Sequence, residues 1–256
     1  MKSRSRSIFF LCSAAGLVFV FAAGLKDLPP LGDYRGPYGN VVAHVAVYER
    51  HTTDVVNAIN YDYRGFDTLG EEFIFFASVL GVLLLFRPAP QSERQEKEDD
   101  SALLAEDEFP VSDTLRVSMQ AMVGIMVVFG VYIAAHGQLT PGGGFQGGVI
   151  LASAPLVVYL SGGVKTFEAI ISSPLIKLAE CGGAAAYAAI GLVGLFFHVH
   201  FLTNVVALGT TGDIFSSGTI AIISAFVGLE VTGGFVLLMQ KYLQETIEAH
   251  LRSGQS

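Results

Sequence analysis

The apolar and polar positions of this chain alternate on the scale of whole helices. Six apolar runs, nearly free of charge, are separated by polar stretches. An α-helix needs about 20 mainly apolar residues to cross the hydrocarbon core of a bilayer. The pattern therefore predicts an all-α integral membrane protein with six transmembrane helices, which are Ile8–Leu25, Thr68–Phe86, Thr114–Ala135, Phe145–Leu160, Pro174–Phe201 and Ser217–Met239.

Signals at the ends of these runs refine the prediction. Thr68 followed by Glu71 is a capping-box pattern, which would place Glu71 and Glu72 in the first turn of the second helix. Ser112 or Asp113 is expected to cap the third helix.

Ser173-Pro174 is typical of a cap and first helical residue, and it predicts the start of the fifth helix. Residues 28–40 contain three prolines and three glycines, which argues against a helix there. In residues 53–60, Val55, Val56 and Ile59 share one helical face and predict a short amphipathic helix.

The first apolar run follows a basic start, as a signal peptide does. Its 18 uncharged residues exceed the roughly 7–15 of a typical signal-peptide core, which favours a retained helix. Residues 88–113 form an acidic linker, with eight acidic and two basic residues between Glu93 and Glu108. The chain thus divides into a two-helix unit (1–87), this linker, a four-helix unit (114–242) and a charged tail (243–256).

Charge asymmetry predicts which side of the membrane each loop occupies. With both termini cytoplasmic, eleven of the 15 Lys and Arg residues lie inside and four lie outside. Cytoplasmic loops are enriched in Lys and Arg, so the distribution supports this orientation in the inner (plasma) membrane.

Composition supports a lipid bilayer as the surroundings and excludes several functions. The chain is 52% hydrophobic and 15% charged, and its mean hydropathy is +0.54. Two cysteines give neither a disulfide framework nor a C-x-x-C metal motif. No basic stripe predicts nucleic-acid binding, and no nucleophile–base arrangement predicts a self-contained catalytic site.

Glu230, near the middle of the sixth predicted helix, is the strongest candidate for chemistry. A charged side chain at that depth costs about 3 kcal/mol to insert. It is either a relay for protons or cations, or a glutamate hydrogen-bonded across a helix interface. Glu71 and Glu72 either cap their helix or contact an ion route. His136 is either a relay or an interfacial group.

The third and fourth helices are joined by a glycine-rich hairpin, His136–Gly148. It has no Gly-Lys-Ser/Thr sequence, so it is not a phosphate-binding loop. Its spacing of small residues predicts close helix packing, and a buried site like those of broken transporter helices is the alternative. The hairpin residues concerned are Pro141, Gly142, Gly143, Gly144, Phe145, Gly147 and Gly148.

Two segments resemble known families. The hairpin, with Pro141-Gly142-Gly143-Gly144-Phe145, resembles the MnhB/MrpB subunits of multisubunit cation/proton antiporters over about residues 114–242. Leu28–Asp33 and Arg64–Glu71 resemble an MbhE-like subunit, which is similar to the C-terminal end of MrpA, over about residues 8–87. The chain then resembles a fusion of two neighbouring subunits.

These resemblances imply a subunit of an Mrp-type Na⁺/H⁺ antiporter, or of the homologous module in a membrane-bound hydrogenase-type complex. Its partners would be other membrane subunits. Na⁺ and H⁺ would be transported rather than held as cofactors, and the chain itself would bind no cofactor. Asp67 and Glu71 would be ion-pathway residues of the first unit, and His136 of the second. The alternative is an assembly subunit without an ion path.

Overall fold

The computed structural model describes residues 3–26, 36–86, 111–162, 164–171 and 174–254, and all regular elements in these ranges are helical. The predicted all-α class is therefore confirmed. Most of the predicted acidic linker lies outside the described residues. The elements are α1 (Ser3–Lys26), α2 (Pro37–Arg50), α3 (Val55–Ala58), a π-helix (Ile59–Tyr63), α4 (Gly65–Leu85), α5 (Asp113–Ala135), α6 (Gly144–Leu160), α7 (Val164–Ile171), α8 (Pro174–Phe196) and α9 (Thr219–Gly254).

Four helices of the described chain are long and apolar enough to cross a membrane. They are α4, α5, α8 and the part Thr219–Thr246 of α9. Two apolar stretches are shorter, Phe10–Lys26 in α1 and Gly144–Leu160, which is α6. The protein is thus a multi-pass membrane protein.

The chain forms two compact units, Met1–Val41 and Val42–Ser256. The first contains α1, whose large apolar side chains, such as Phe10 and Phe19, are mostly exposed. In the second, α9 is central and packs against α4, α6 and α8.

The core of the second unit follows one face of α9. Ile220, Ile223, Val227 and Val231 recur every three or four residues and are buried, as expected for one face of a helix. Tyr61, Leu69 and Tyr187 belong to the same cluster, so the segment before α4 is packed into the core.

The start of α4 differs from the predicted capping box. The helix begins at Gly65, and Arg64 precedes it without a side-chain cap. The π-helix leads directly into α4, and the Arg64 amide donates to the Ile59 carbonyl at 2.8 Å. The prediction was wrong because this backbone continuity replaces a side-chain cap. Glu71 and Glu72 consequently lie nearly two turns into the helix.

The other predicted helix ends are confirmed in part. Ser112 caps α5 by accepting a hydrogen bond from the Leu115 amide at 3.4 Å. Pro174 begins α8 as predicted, and Ser173 lies outside the described residues. The argument against a helix in residues 28–40 was wrong from Pro37 onward, because proline fits the first helical position, where no amide hydrogen is needed.

Two further segments differ from the prediction. α8 ends at Phe196 rather than Phe201, because the following loop folds back and the Leu202 amide donates to the Gly191 carbonyl at 3.0 Å. In α3, Asn57 and Ala58 are buried and Val56 is exposed, so the apolar-face prediction was wrong in part. Asp54 caps this helix.

Candidate functional site

Glu230 lies well inside the longest helix, α9, and its side chain is fully buried, with 0% exposure. Among the described residues, no group donates a hydrogen bond to either of its carboxylate oxygens. Burying a polar group without a hydrogen bond is unfavourable. Ionisable groups inside membrane helices usually mark ion pathways for this reason.

Glu72 is the second buried carboxyl of the predicted set. Its side chain is 5% exposed, and within the described chain its Oε2 has no hydrogen-bond partner. Neighbouring helical residues point about 100° apart, so Glu71 is exposed while Glu72 faces the core. The packing of α4 against α9 decides which of the two faces inward.

A third buried carboxyl, Glu180 of α8, was not singled out from the sequence. It is 2% exposed, and its Oε1 accepts no hydrogen bond in the described part of the chain. In the sequence it lies next to the uncharged stretch Cys181–Phe197, near the start of its helix. A useful signal was the shared pattern Glu-x-x-Gly, which occurs at Glu180–Gly183 and again at Glu230–Gly233.

We call Glu72, Glu230 and Glu180 the carboxyl row, because Glu230 lies on α9, which packs against both α4, which carries Glu72, and α8, which carries Glu180. Helices α4 and α9 pack closely beside Glu72 and Glu230. A Cβ atom added to Gly234 would lie only 2.6 Å from the Phe75 ring, so α4 and α9 approach closely one turn beyond Glu72 and Glu230.

No basic side chain of the described residues pairs with these carboxyls. The ion pairs found join Arg50 to Asp62 and Arg64 to Asp67. The second of these is exposed, so it contributes little to stability. Asp67, predicted as an ion-pathway residue, therefore lies at the surface. The described residues contain no group of three or more His, Cys, Asp or Glu side chains that could hold a metal ion.

A cavity of about 250 Å³ borders the row at Glu72. It is lined mainly by polar groups, and Glu71 also lies on its wall. Water or a small cation has room there, since a water molecule occupies about 30 Å³ in the liquid. The lining residues are Asn57, Asn60, Tyr61, Thr68, Glu71, Glu72, Phe75, Phe145 and Gln146.

Two buried tyrosines flank this region. Their rings meet edge to face, with centroids 6.3 Å apart, and the Tyr187 hydroxyl donates to the Gly65 carbonyl at 2.9 Å. Tyr61 belongs to the π-helix, outside the spanning helices. Burial, reinforced by the charge of Glu72, raises the pKa of its hydroxyl. Tyr61 therefore stays a neutral hydrogen-bonding group beside Glu72.

The glycine hairpin brings three helices together. Cβ atoms added to Gly144 and Gly148 would collide with α9, and one added to Gly147 would lie 2.7 Å from Ala134 of α5. Gly143 has a φ of 131°, a conformation that side-chain-bearing residues rarely adopt. The hairpin thus allows α6 to pack closely against both α5 and α9.

The remaining hairpin candidates lie toward its outside. His136 is half-buried and stacks on Tyr132, with ring centroids 4.2 Å apart. Pro141 is exposed. Phe145 is also exposed and meets Phe75 edge to face at 6.4 Å between centroids. The structure therefore does not bring His136 into the carboxyl row.

Segment 52–57 fastens the hairpin through hydrogen bonds. The Asn57 side-chain amide donates to the carbonyls of Gly137 at 2.5 Å and Gly142 at 3.2 Å. The Thr52 hydroxyl donates to the Gln138 carbonyl at 2.6 Å. Sequence reasoning missed Asn57, because its partners come from a loop about 80 residues away along the chain.

Comparison with known proteins agrees with this architecture. Residues 114–237 match the model of a domain related to the MnhB subunit of Na⁺/H⁺ antiporters. A putative antiporter subunit mnhB2 of Staphylococcus saprophyticus is 30% identical over 128 residues, which are 49% of this chain and 89% of that protein. The chain belongs to the MnhB family.

Another relative of this MnhB-family chain extends the similarity. The probable A/B subunit of a K⁺/H⁺ antiporter from Rhizobium meliloti is 30% identical over 165 residues, which are 59% of this chain and only 16% of that much longer protein.

Solved structures match almost the whole MnhB-family chain. A chain of an archaeal membrane-bound sulfane sulfur reductase has a TM-score of 0.67 and 26% identity, over 93% of this chain and 98% of its own. A chain of the Mrp complex from Dietzia has a TM-score of 0.65 and 24% identity, over 94% of this chain and 26% of its own. The second likeness concerns the fold alone. The first matched chain is part of a respiratory membrane complex, and the Staphylococcus and Rhizobium relatives are antiporter subunits, so other membrane subunits are the partners of this protein.

Proposed function

We propose that this protein is a membrane subunit of an Mrp-type monovalent cation/proton antiporter, or of the homologous module in a respiratory membrane complex. Within it, Glu72 and Glu230 form part of the ion passage. The observation that carries this proposal is the row of buried carboxyls, which lacks basic partners among the described residues. The MnhB-family relatives support the antiporter setting.

The chemistry of a carboxyl group suits cation/proton exchange. Carboxylate oxygens are hard ligands that bind small cations, and the same oxygens bind a proton. A proton and a cation therefore compete for one group. We propose that Na⁺ and H⁺ are the transported ions; the name of the Rhizobium relative makes K⁺ the other cation to test.

The cavity at Glu72 would serve as the entrance to the passage. It places polar groups next to Glu72, and Glu230 lies on α9, which packs against the helix that carries Glu72. Glu71, on the same wall, would attract cations toward the cavity. His136 and Asp67 lie apart from the row and have no role in this proposal.

The membrane arrangement completes the proposal. α1 and α6 would also span, which gives six helices with both termini on the cytoplasmic side of the inner membrane. We retain residues 1–87 and 114–242 as fused subunit-like parts, joined by the acidic linker 88–113 and followed by the charged tail 243–256.

Replacement of single carboxyls in the intact complex tests the proposal. Glu230→Gln and Glu72→Gln keep the side-chain size and remove the charge, and Glu245→Gln, nearer the end of α9, is the matched control. Na⁺-dependent proton movement is followed in everted membrane vesicles with a pH-sensitive dye, and assembly is followed by co-purification of the partner subunits. We expect both test variants to assemble and to lose most transport, while the control keeps it.

Two other outcomes contradict the proposal. Normal transport in assembled Glu230→Gln and Glu72→Gln complexes would exclude a relay role. Loss of assembly in both would instead support a purely structural subunit. The proteins that co-purify identify the complex. If antiporter-type subunits alone co-purify, the complex is of the Mrp type; if redox subunits co-purify as well, it is a respiratory complex.

A further inference from the structure

We propose that Glu180 and Glu230 together form a binding site for one monovalent cation, within the crossing of α8 and α9, and that a proton competes for it. This inference rests on the proposed ion passage and adds a residue and a bound state to it.

The two glutamates occupy equivalent positions in a reciprocal helix crossing. Gly183 lies against Glu230, since a Cβ added to Gly183 would be 2.6 Å from the Glu230 Cβ. Gly233 lies against Glu180, since a Cβ added there would be 3.0 Å from the Glu180 Cβ. On each helix the glycine follows its glutamate by three residues, so the helices cross in opposite directions and each glutamate packs on the other's glycine.

Small residues at such a crossing let two helix backbones approach closely. Here the approach confines both carboxyl groups to one interface, where the side chains are 2% and 0% exposed. Three of their four carboxylate oxygens accept no hydrogen bond from the described residues. Close packing alone does not explain this, because an apolar side chain would fill the interface without leaving polar atoms unpaired.

The surroundings supply further negative charge. Glu72 is also buried and lies on α4, which packs against α9. Cys181, next to Glu180 in sequence, is exposed. On α6 the facing segment 144–152 has no ionisable side chain, and α5 approaches through Ala134. Lys177, one turn before Glu180 on α8, is exposed, and no basic side chain among the described residues pairs with either glutamate. A bound cation would supply the positive charge that these residues do not.

A monovalent cation suits the pair. Two carboxylates that share a low-dielectric interface repel each other, and one positive charge between them removes that repulsion. Oxygen ligands are those that Na⁺ and similar hard cations prefer. One proton lowers the negative charge of the pair by the same single unit as one monovalent cation, so binding of one ion releases the other, as exchange requires.

Sodium binding by the purified intact complex tests this site. Equilibrium binding of radioactive Na⁺ is measured over a range of pH, and proton release on Na⁺ addition is followed with a pH dye. We expect Glu180→Gln to weaken Na⁺ binding by at least about tenfold and to reduce proton release. Glu180→Asp keeps the charge and should restore part of both, and Glu245→Gln should change neither.

A double variant separates one shared site from two independent effects. Because both carboxyls hold the same ion, Glu180→Gln/Glu230→Gln should bind Na⁺ about as weakly as either single variant, which is a non-additive result. Additive losses, or unchanged binding and proton release in assembled Glu180→Gln, overturn the inference. If Glu230→Gln stops transport while Glu180→Gln binds Na⁺ normally, only the site fails and the proposed function stands. If transport survives in both Glu230→Gln and Glu72→Gln, the proposed function fails as well.

Discussion

Replacement of Gly144 by alanine tests the packing corner at which the glycine hairpin enters α6. A Cβ added at this position would overlap the Ser224 carbonyl oxygen of α9 and would lie 2.8 Å from both the Gly228 amide nitrogen and the Val227 Cβ. Real Cβ atoms essentially never come closer than 3.0 Å to other heavy atoms, so something must move. Two of these three atoms are backbone atoms of a buried helix, which has little freedom to shift.

The expected magnitude follows from two opposing contributions. Overpacking a well-packed core costs about 1–3 kcal/mol, and alanine in place of glycine within a helix stabilises by up to about 1 kcal/mol. The net effect is a loss of about 1–2 kcal/mol. For a chain of this size, that loss lowers Tm by about 2–8 °C. Gly124→Ala in α5 is the control, because no heavy atom lies within 4 Å of the added Cβ.

Thermal stability of the full chain in detergent is the measurement. Samples are heated to a series of temperatures, and the remaining monodisperse protein is quantified by size-exclusion chromatography. Gly124→Ala should melt at or slightly above the wild-type temperature, and Gly144→Ala should melt below both. A Gly144→Ala protein as heat-stable as Gly124→Ala would refute the close α6–α9 contact.

Two further predictions concern the segment before α4. Asn57→Ala leaves buried hairpin carbonyls unpaired and should lower the free energy of unfolding by about 1–3 kcal/mol. Asn57→Asp should lower it more, because its carboxylate places an acceptor against the carbonyl acceptors. Equal stability of Asn57→Asp and wild type in the same heating assay would contradict this prediction. Burial and a hydrogen bond to Glu49 raise the pKa of Tyr63 to about 12. The stability that the neutral Tyr63 hydroxyl contributes is therefore complete below about pH 10 and is lost as the pH rises through about 12. Subtracting the ultraviolet titration curve of Tyr63→Phe from that of wild type should reveal one tyrosine titrating near pH 12, and a difference centred near pH 10 would contradict the burial.

The spanning helices were predictable because a bilayer imposes a length and an apolar composition on each one. The apolar runs at α4, α5, α8 and α9 therefore coincide with helices of spanning length. Helix ends were less predictable. Ser112 acts through atoms close in sequence and was anticipated, whereas the start of α4 depends on a π-helix that no local pattern signals.

The candidate site shows the same division. Glu230 was recognisable because a carboxylate within an apolar run has no local explanation. The family resemblance singled out Glu71 and not Glu72, because the exposure of the two depends on which face of α4 packs against α9. Glu180 and Asn57 were missed, because their significance comes from groups on other helices and loops.

The class of protein, the approximate spanning segments and the costly charge at Glu230 follow from the order of residues along the chain. These properties depend on the free energy of transferring side chains from water to lipid, and that free energy is set by the composition of each run of residues. The packing of the helices in three dimensions selects the carboxyls that lie at a common interface. That choice depends on the close crossings that Gly144, Gly183 and Gly233 permit between helices far apart in the chain.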